Sequence, residues 1–348
     1  MAAGTHVELN RLPQLLLDWY GRHARDLPWR MGPAARAAGG RPDPYRVWLC
    51  EIMLQQTTIP HGTPYFLEFT RRWPTVEALA AAKDEEVMSA WAGLGYYARA
   101  RNLLKCAREV AARGGFPETE AELRKLPGVG PYTAGAIAAI AFGAPAAAVD
   151  GNVDRVFARL LALKGAWKEE KKVIAARVRA LVPEDRPGEF AEALMDLGAT
   201  VCTPTKPNCL ICPVSGLCAA RAEGAPERYP VKPAKKAQPV RYGTAFVLVA
   251  GGDVLLVRRP ETGLLGGMLA LPTDEWTEGR HPDSPPPAKA AWDEVGEVRH
   301  VFTHFALRLR VMRADVKRKP KAEGQWVPAD EVDGLPSVFA KAFRLAIR

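Results

Sequence analysis

Residues 126–135 read Leu-Pro-Gly-Val-Gly-Pro-Tyr-Thr-Ala-Gly, an alanine-rich apolar run follows, and residues 148–155 read Ala-Val-Asp-Gly-Asn-Val-Asp-Arg. Gly128 and Gly130 bracket Val129, and glycines so close together permit a tight turn that presents successive backbone N–H groups, because glycine takes positive φ without steric cost. Such a turn can cradle a phosphate. From Thr133 the sequence is strongly helix-forming, so the turn opens into a helix whose positive end faces the same anion. The stretch predicts a phosphate-gripping hairpin, with an ordinary helix-turn-helix as the competing reading of the glycines alone. Asp150, beside Gly151 and Asn152, reads equally as a turn or helix-cap aspartate and as a working carboxylate.

Working outward, the 348 residues exceed one typical domain and suggest two. Lys and Arg outnumber Asp and Glu by 48 to 39, for a net charge of +9 and a pI near 9.3. That balance favours a polyanionic partner, nucleic acid ahead of an acidic membrane surface. The first residues lack the basic start and apolar core of a signal peptide, so a cytoplasmic location is expected, with the nucleoid as the place of work in a prokaryote. The longest apolar run, Ala134–Val149, is interrupted by Gly143 and Pro145 and falls short of the ~20 residues that span a bilayer, so it reads as a buried helix and no membrane partner is expected.

Residues 9–20 have helical apolar spacing, and Leu27-Pro28-Trp29-Arg30 closes that segment with an aromatic beside a cation. Trp29 reads as a base-stacking residue or as a core tryptophan. Residues 31–43 read as a Gly/Pro/Ala-rich loop insertion of little content. Pro44 then starts a helix in which Glu51 lies among Val47, Leu49, Ile52, Met53 and Leu54. Burial there would raise its pKa and keep a proton available near neutrality, as a general acid requires; on a surface face it would merely be solvated. Gln55, Gln56 and Thr57 add amide and hydroxyl groups able to meet base edges or fill a disrupted stack. Residues 64–90 read as two packing helices broken at Trp73-Pro74-Thr75, and residues 91–101 as a glycine turn that presents Tyr96 and Tyr97 ahead of a basic helix carrying Arg101, Lys105 and Arg108.

Residues 189–201 read as an amphipathic helix leading into Cys202, Cys209, Cys212 and Cys218, which fall within seventeen residues. In a chain expected in the cytosol such a group binds metal rather than forming disulfides, and the single C-x-x-C argues against a two-pair zinc ribbon. Residues 228–241 hold five basic residues, three prolines and no acid, an extended linker in composition. Beyond it, residues 244–250 and 253–259 read as a hairpin across Gly251-Gly252. Residues 299–315 read as one alternating strand, with Val301, Thr303, Phe305, Leu307, Leu309 and Val311 on one face and His300, Phe302, His304, Arg308 and Arg310 on the other. The C-terminal VFAKAFRLAI reads as helical.

Taken in order, LPWR, EIMLQQT, GLGYYARARNL, LPGVGPYTAG, VDGNVDR, MDLGA and the four cysteines resemble the MutY-type adenine DNA glycosylases of the helix-hairpin-helix superfamily, over nearly the whole chain. The resemblance implies a multidomain protein: an all-α helix-hairpin-helix glycosylase domain over residues 1–227, a linker over 228–242, and a smaller α+β Nudix-like domain over 243–348. It implies one [4Fe-4S] cluster on Cys202, Cys209, Cys212 and Cys218, in a loop spanning 202–218 that shapes a DNA contact. The implied partner is double-stranded DNA in which adenine lies opposite 8-oxoguanine, and a monomer is expected. Adenine would be flipped out of the stack. Glu51 would protonate it at N7, and Asp150 would stabilise the oxocarbenium-like sugar, with no metal at the reacting centre.

Tyr132 would lie against the sugar where lyase relatives have a nucleophilic Lys, so a monofunctional enzyme is expected. Trp29, Arg30, Leu54, Thr57 and Glu192 would line the adenine pocket, Gln56 and Tyr96 would fill and wedge the stack, and Gln55, Gly128, Gly130 and Asn152 would also bind the substrate DNA. Phe302, Thr303 and His304 would read the 8-oxoguanine; the competing reading makes them part of an ordinary strand. Three alternative functions compete with this one. An endonuclease III-like glycosylase-lyase would need the hairpin lysine and usually lacks the second domain. A Nudix pyrophosphatase would need an Arg-Glu-x-x-Glu-Glu helix, and no such run follows Gly263. A non-catalytic DNA-binding module is disfavoured by the two carboxylates. The departures are the 31–43 insertion and Thr303, where many relatives carry Ser.

Overall fold

The computed structural model describes residues 9–231, 238–260 and 263–347. They pack as two compact units, one built from residues 1–82 and 102–234, the other from 83–101 and 235–348. The N-terminal stretch read for its lack of a signal peptide, and most of the basic linker, lie outside the described residues. Among these residues no helix is long and apolar enough to cross a membrane.

The first unit is helical. Its helices are α1 (Leu12–His23), α2 (Pro33–Ala37), α3 (Pro44–Met53), α4 (Ile59–Arg72) and α5 (Val76–Ala80). After α6 (Asp84–Ala90) and α7 (Tyr97–Ala112) come α8 (Glu120–Leu123), α9 (Pro131–Phe142), α10 (Gly151–Leu160), α11 (Trp167–Leu181), α12 (Pro187–Asp196) and α13 (Ala219–Ala222). The grouping of 83–101 with the C-terminal segment cuts through the start of α7, where a linear division of the chain has no boundary.

The hairpin of the opening stretch is α8, a turn, and α9. Only Gly128 of its two glycines has positive φ (75°), and a Cβ there would also come 3.0 Å from the Asn102 side chain. Gly130 is extended and caps α9, with Pro131 in the favoured first position. Helix α9 is buried on every side from Thr133 to Ile140. Its small residues explain how: a Cβ on Gly135 would lie 2.2 Å from the Ala147 carbonyl oxygen, so the following chain lies directly against the helix. The apolar run therefore is not one helix to Val149. Gly143 (φ 67°) stops α9 in a left-handed cap, and residues 144–149 run without regular secondary structure to Asp150.

Three more expectations are corrected. Helix α3 ends at Met53, so Leu54–Thr57 form a turn, with Gln56 at φ 57°. Residues 59–90 make three helices rather than two. The helix read over 189–201 is α-helical only to Asp196; Leu197–Val201 is a π-turn, and Cys202 N–H reaches the Leu197 carbonyl at 2.7 Å. The core beneath the cavity described below joins Leu12, Leu16 and Tyr20 of α1 to Phe157, Ile174, Phe190 and Leu194.

The second unit holds a mixed sheet: β1 (Val240–Ala250), β2 (Asp253–Arg258), β3 (Leu269–Ala270), β4 (Thr277–Glu278), β5 (Asp293–Val301), β6 (Ala306–Val316) and β7 (Gln325–Pro328). Its main path runs β3-β2-β1-β6-β5, with β4 on β1 and β7 on β2. Strands β1 and β6 pair in parallel from Val240/Ala306 to Ala250/Val316, so residues 240–242 belong to the sheet. Along β6, Leu307, Leu309 and Val311 point inward and meet Val338, Phe339 and Ala342 of α14 (Ser337–Ile347). The alternation read over 299–315 is two antiparallel strands, not one. Phe302–Phe305 form the turn between β5 and β6, closed by a 2.8 Å bond from Phe302 N–H to the Phe305 carbonyl. Phe302 stacks on Trp276, while Thr303 and His304 are exposed.

Candidate active site

A cavity of about 690 Å³ opens in the first unit, and both singled-out carboxylates line it. Glu51 comes from α3, which buries nearly all of its surface and carries the carboxyl in with it. Burial pushes that carboxyl up to about 7, a shift helped by the negative charges of Asp150 and Glu192 and opposed by a hydrogen bond from Tyr132 and by Arg30. The group is thus a proton donor poised near neutrality. Burial and the Glu51 charge hold Tyr132 well above the usual phenol range, so it remains a neutral hydroxyl.

Asp150 is the helix cap the sequence allowed, and it also lines the cavity. At the start of α10 its Oδ1 accepts from the backbone N–H groups of Asn152 (2.9 Å) and Val153 (2.8 Å). Oδ2 accepts from Asn152 Nδ2 at 2.7 Å. Three donors fix the carboxylate plane. Behind it, Arg155 donates to Asn152 Oδ1 (2.9 Å), Gly198 O and Cys202 O (2.8 Å), so a continuous run of hydrogen bonds links Asp150 to the first cysteine of the loop. A Cβ on Gly198 would lie 2.5 Å from Asn152 Cβ, which ties the π-turn to the same contact.

Trp29, Arg30, Leu54, Gln55, Gln56 and Thr57 line the cavity too. So do Gly128, Gly130, Tyr132, Asn152 and Glu192. Trp29 is a buried tryptophan, edge-on against Phe66, and it also lines the cavity. Gln55 Nε2 lies 3.3 Å from Thr133 Oγ1. Tyr96 is in the second unit. There it has φ 51°, is half-exposed, and its hydroxyl lies 3.1 Å from Thr303 Oγ1. Gln238 Nε2 donates to the Thr303 carbonyl at 3.0 Å. Among the basic residues of α7, Arg101 donates to Gly266 O and Arg108 to the carbonyls of Ala80 and Ala82, so both make structural bonds.

Sequence reading missed the charged wall behind the cavity. Asp196, fully buried, accepts from Arg30 NH1 (2.7 and 2.8 Å) and Arg25 Nε (2.7 Å). Glu192 Oε2 accepts from the Tyr20 hydroxyl (2.9 Å) and Arg36 NH2 (2.8 Å). Burial pulls Arg30 down, but the Glu192 and Asp196 charges outweigh it and hold the guanidinium above its ordinary value. A signal for Asp196 existed: it stands four residues after Glu192, on the same helical face. Arg36 had none.

The four cysteines Cys202, Cys209, Cys212 and Cys218 line one small cavity, and none is in a disulfide. Among the described residues no set of three or more His, Cys, Asp or Glu closes on a single ion. Four thiols ringed about a common space suit a cluster, which takes one thiolate per iron. Arg159, almost wholly buried, binds the loop through four contacts, to the carbonyls of Cys202, Thr203 and Pro204 and to Cys202 Sγ at 3.2 Å, and donates a fifth to the Tyr229 carbonyl.

Comparison with known proteins bears on this arrangement. Residues 49–184 match the model of the HhH-GPD superfamily base excision DNA repair proteins, 202–218 that of the iron-sulfur binding domain of endonuclease III, and 244–347 that of the NUDIX domain. The adenine DNA glycosylase of Mus musculus is 34% identical over 95% of this chain and 76% of its own length. The chain belongs to the adenine DNA glycosylase family. The human and Arabidopsis thaliana adenine DNA glycosylases are 36% and 37% identical over 85% and 87% of the chain, which spans 65% and 57% of their lengths. A thermostable thymine-DNA glycosylase superposes with a TM-score of 0.55 at 30% identity, over 63% of this chain and 99% of that one. Endonuclease III in a non-covalent DNA complex gives 0.51 over 63% and 97%; at 22% identity it speaks for the fold alone. The match over 202–218 indicates that this loop carries one [4Fe-4S] cluster.

Proposed function

We propose that this member of the adenine DNA glycosylase family is a monofunctional enzyme that excises adenine paired with 8-oxoguanine in duplex DNA. One observation carries the reading: Glu51, Tyr132 and Asp150 line a single cavity. Its volume of about 690 Å³ falls within the ~300–1,000 Å³ of sites that enclose small ligands. A flipped adenine enters. Glu51, carrying its proton near neutral pH, delivers it to N7 and makes the base a neutral leaving group. Asp150, immobilised by three donors, faces the positive charge that develops on the sugar. The bond between the base and C1′ breaks, water adds to C1′ and gives its proton back to the Glu51 carboxylate, and an abasic site is left. Tyr132 has no amine with which to form an imine, so the DNA backbone stays intact.

For the second unit, the proposed role is reading the opposing base. Relative to guanine, 8-oxoguanine gains a C8 carbonyl and an N7–H donor. Thr303 offers a hydroxyl that both donates and accepts, on a turn whose base is packed by Phe302 against Trp276. His304 is exposed beside it. The protein working as a monomer in the cytoplasm belongs to the same reading.

The test is incubation with duplexes carrying A opposite 8-oxoguanine, A opposite G and A opposite T. Alkali-labile sites at the first, no strand breaks before alkali, and no reaction at the third are expected. Breaks without alkali would overturn the monofunctional assignment. Thr303→Ala combined with His304→Ala should slow reaction opposite 8-oxoguanine more than opposite G, since a well-placed base contact is worth ~1–3 kcal/mol. Equal losses would remove these residues from lesion reading.

A further inference from the structure

We infer that Arg36, carried by the 31–43 insertion, is a positioning residue for the base pocket: it holds the Glu192 carboxylate from behind, so that one oxygen stays turned toward the flipped base. The inference rests on the cavity being the adenine pocket.

Two buried acids four residues apart on α12 compete for the cations around them. Arg30 is the obvious partner of Glu192, yet its NH1 is engaged with both oxygens of Asp196, and its Nε stands 3.8 Å from Glu192 Oε1. Arg25 also goes to Asp196. The close cation for Glu192 is therefore Arg36, at 2.8 Å. Arg36 does not line the cavity; it reaches Glu192 from the far side, through the protein.

That approach is built into both elements. On the insertion, Pro33 starts the short helix α2, and Arg36 Nε is pinned to the Met31 carbonyl at 3.1 Å, which fixes the plane of the guanidinium. On α12, Gly188 provides room: a Cβ there would stand 3.0 Å from Arg36 NH1. The Arg36 side chain is left only 12% exposed and that of Glu192 2%. With Tyr20 and Arg36 both on Oε2, Oε1 is the oxygen left to meet a group in the cavity. A fixed anionic acceptor suits the exocyclic amino group of adenine and repels the carbonyl that guanine presents there. Burial raises the Glu192 carboxyl above its ordinary value, and Arg30 and Arg36 limit the rise; without Arg36, a protonated, rotating carboxyl would give up this discrimination.

Arg36→Met keeps the apolar stem and removes the charge. Single-turnover excision from A opposite 8-oxoguanine should slow by roughly 10–100-fold, the scale of a misplaced positioning group, with DNA affinity within about twofold of wild type. Arg36→Lys should recover part of the rate. Glu192→Gln should itself be slow, and adding Arg36→Met to it should cost little more, because the effect runs through that carboxylate. An Arg36→Met rate within about twofold of wild type, or an undiminished loss on top of Glu192→Gln, would overturn the inference. Melting temperatures of each variant separate unfolding from mispositioning. Fluorescence of 2-aminopurine placed next to a target 2′-fluoro-2′-deoxyadenosine reports flipping of a base that keeps its 6-amino group, and the fluorine suppresses the chemistry. A wild-type protein that flips this base yet releases no adenine from the unmodified duplex would refute the proposed reaction and still allow the Arg36 effect to be read.

Discussion

Glu51 is a carboxyl group that its helix has withdrawn from water, and the consequence is measurable apart from catalysis. Its folded value near 7 lies above its ordinary 4.5, so between those limits the native state keeps a proton that the unfolded chain releases. Stability from this group is therefore fullest below the lower value and declines as pH rises through the window, by at most about 3 kcal/mol at 1.36 kcal/mol per unit. Glu51→Gln should melt higher than wild type at about pH 8 and close to it at about pH 5. Parallel melting curves across that range would show that the carboxyl is not the buried acid described. The wild-type single-turnover rate should fall as pH rises through about 7, because the acid form is the reactive one. Glu51 was legible in the sequence, since one acid among five apolar neighbours is a strong local sign. Asp196 was less so, though its spacing from Glu192 was visible. Arg36 was illegible, because its partner lies 156 positions away and its own surroundings are glycine, alanine and proline.

At the scale of elements, α10 joins the cavity to the cysteine loop: Asp150 caps its start, and Arg155 and Arg159 leave one face of it for the loop backbone. Arg159→Gln keeps a polar head but cannot span five acceptors. It should lower iron content per chain and the melting temperature together, each stranded buried carbonyl costing about 1–3 kcal/mol. Full iron occupancy with an unchanged melting temperature would show the loop to be self-supporting. Element ends were the hardest features to read. The run Ala144–Val149 is apolar whether helical or irregular, and only Gly143 and Pro145 marked the change. Phe302–Phe305 continued the alternation of the strands on either side, so a turn closed by one backbone bond left no break in the pattern.

For the molecule as a whole, the two compact units do not follow the order of the chain. Residues 83–101 pack with the C-terminal segment, where Arg101 meets Gly266 and Tyr96 meets Thr303. A protein ending at residue 230 should keep α9 protected against amide exchange while peptides covering 94–101 exchange faster than in the full chain. Equal exchange in both would mean that this segment is ordered without its later partners. The mixed α+β nature of the C-terminal sheet was readable from its hairpin and its alternation. The membership of 83–101 was not, since nothing in a glycine turn and a basic helix names partners 165 and 207 positions downstream.

Gly198 has a consequence in genetics. Its missing side chain is what lets the π-turn rest against Asn152, and so against the residue that holds Asp150. A glycine codon has no neighbour, one base away, that encodes anything smaller. Every missense change at that codon would therefore bring bulk into a space that excludes a methyl group. Such an allele would disturb the hold on Asp150 while the two carboxylates remained untouched in the gene.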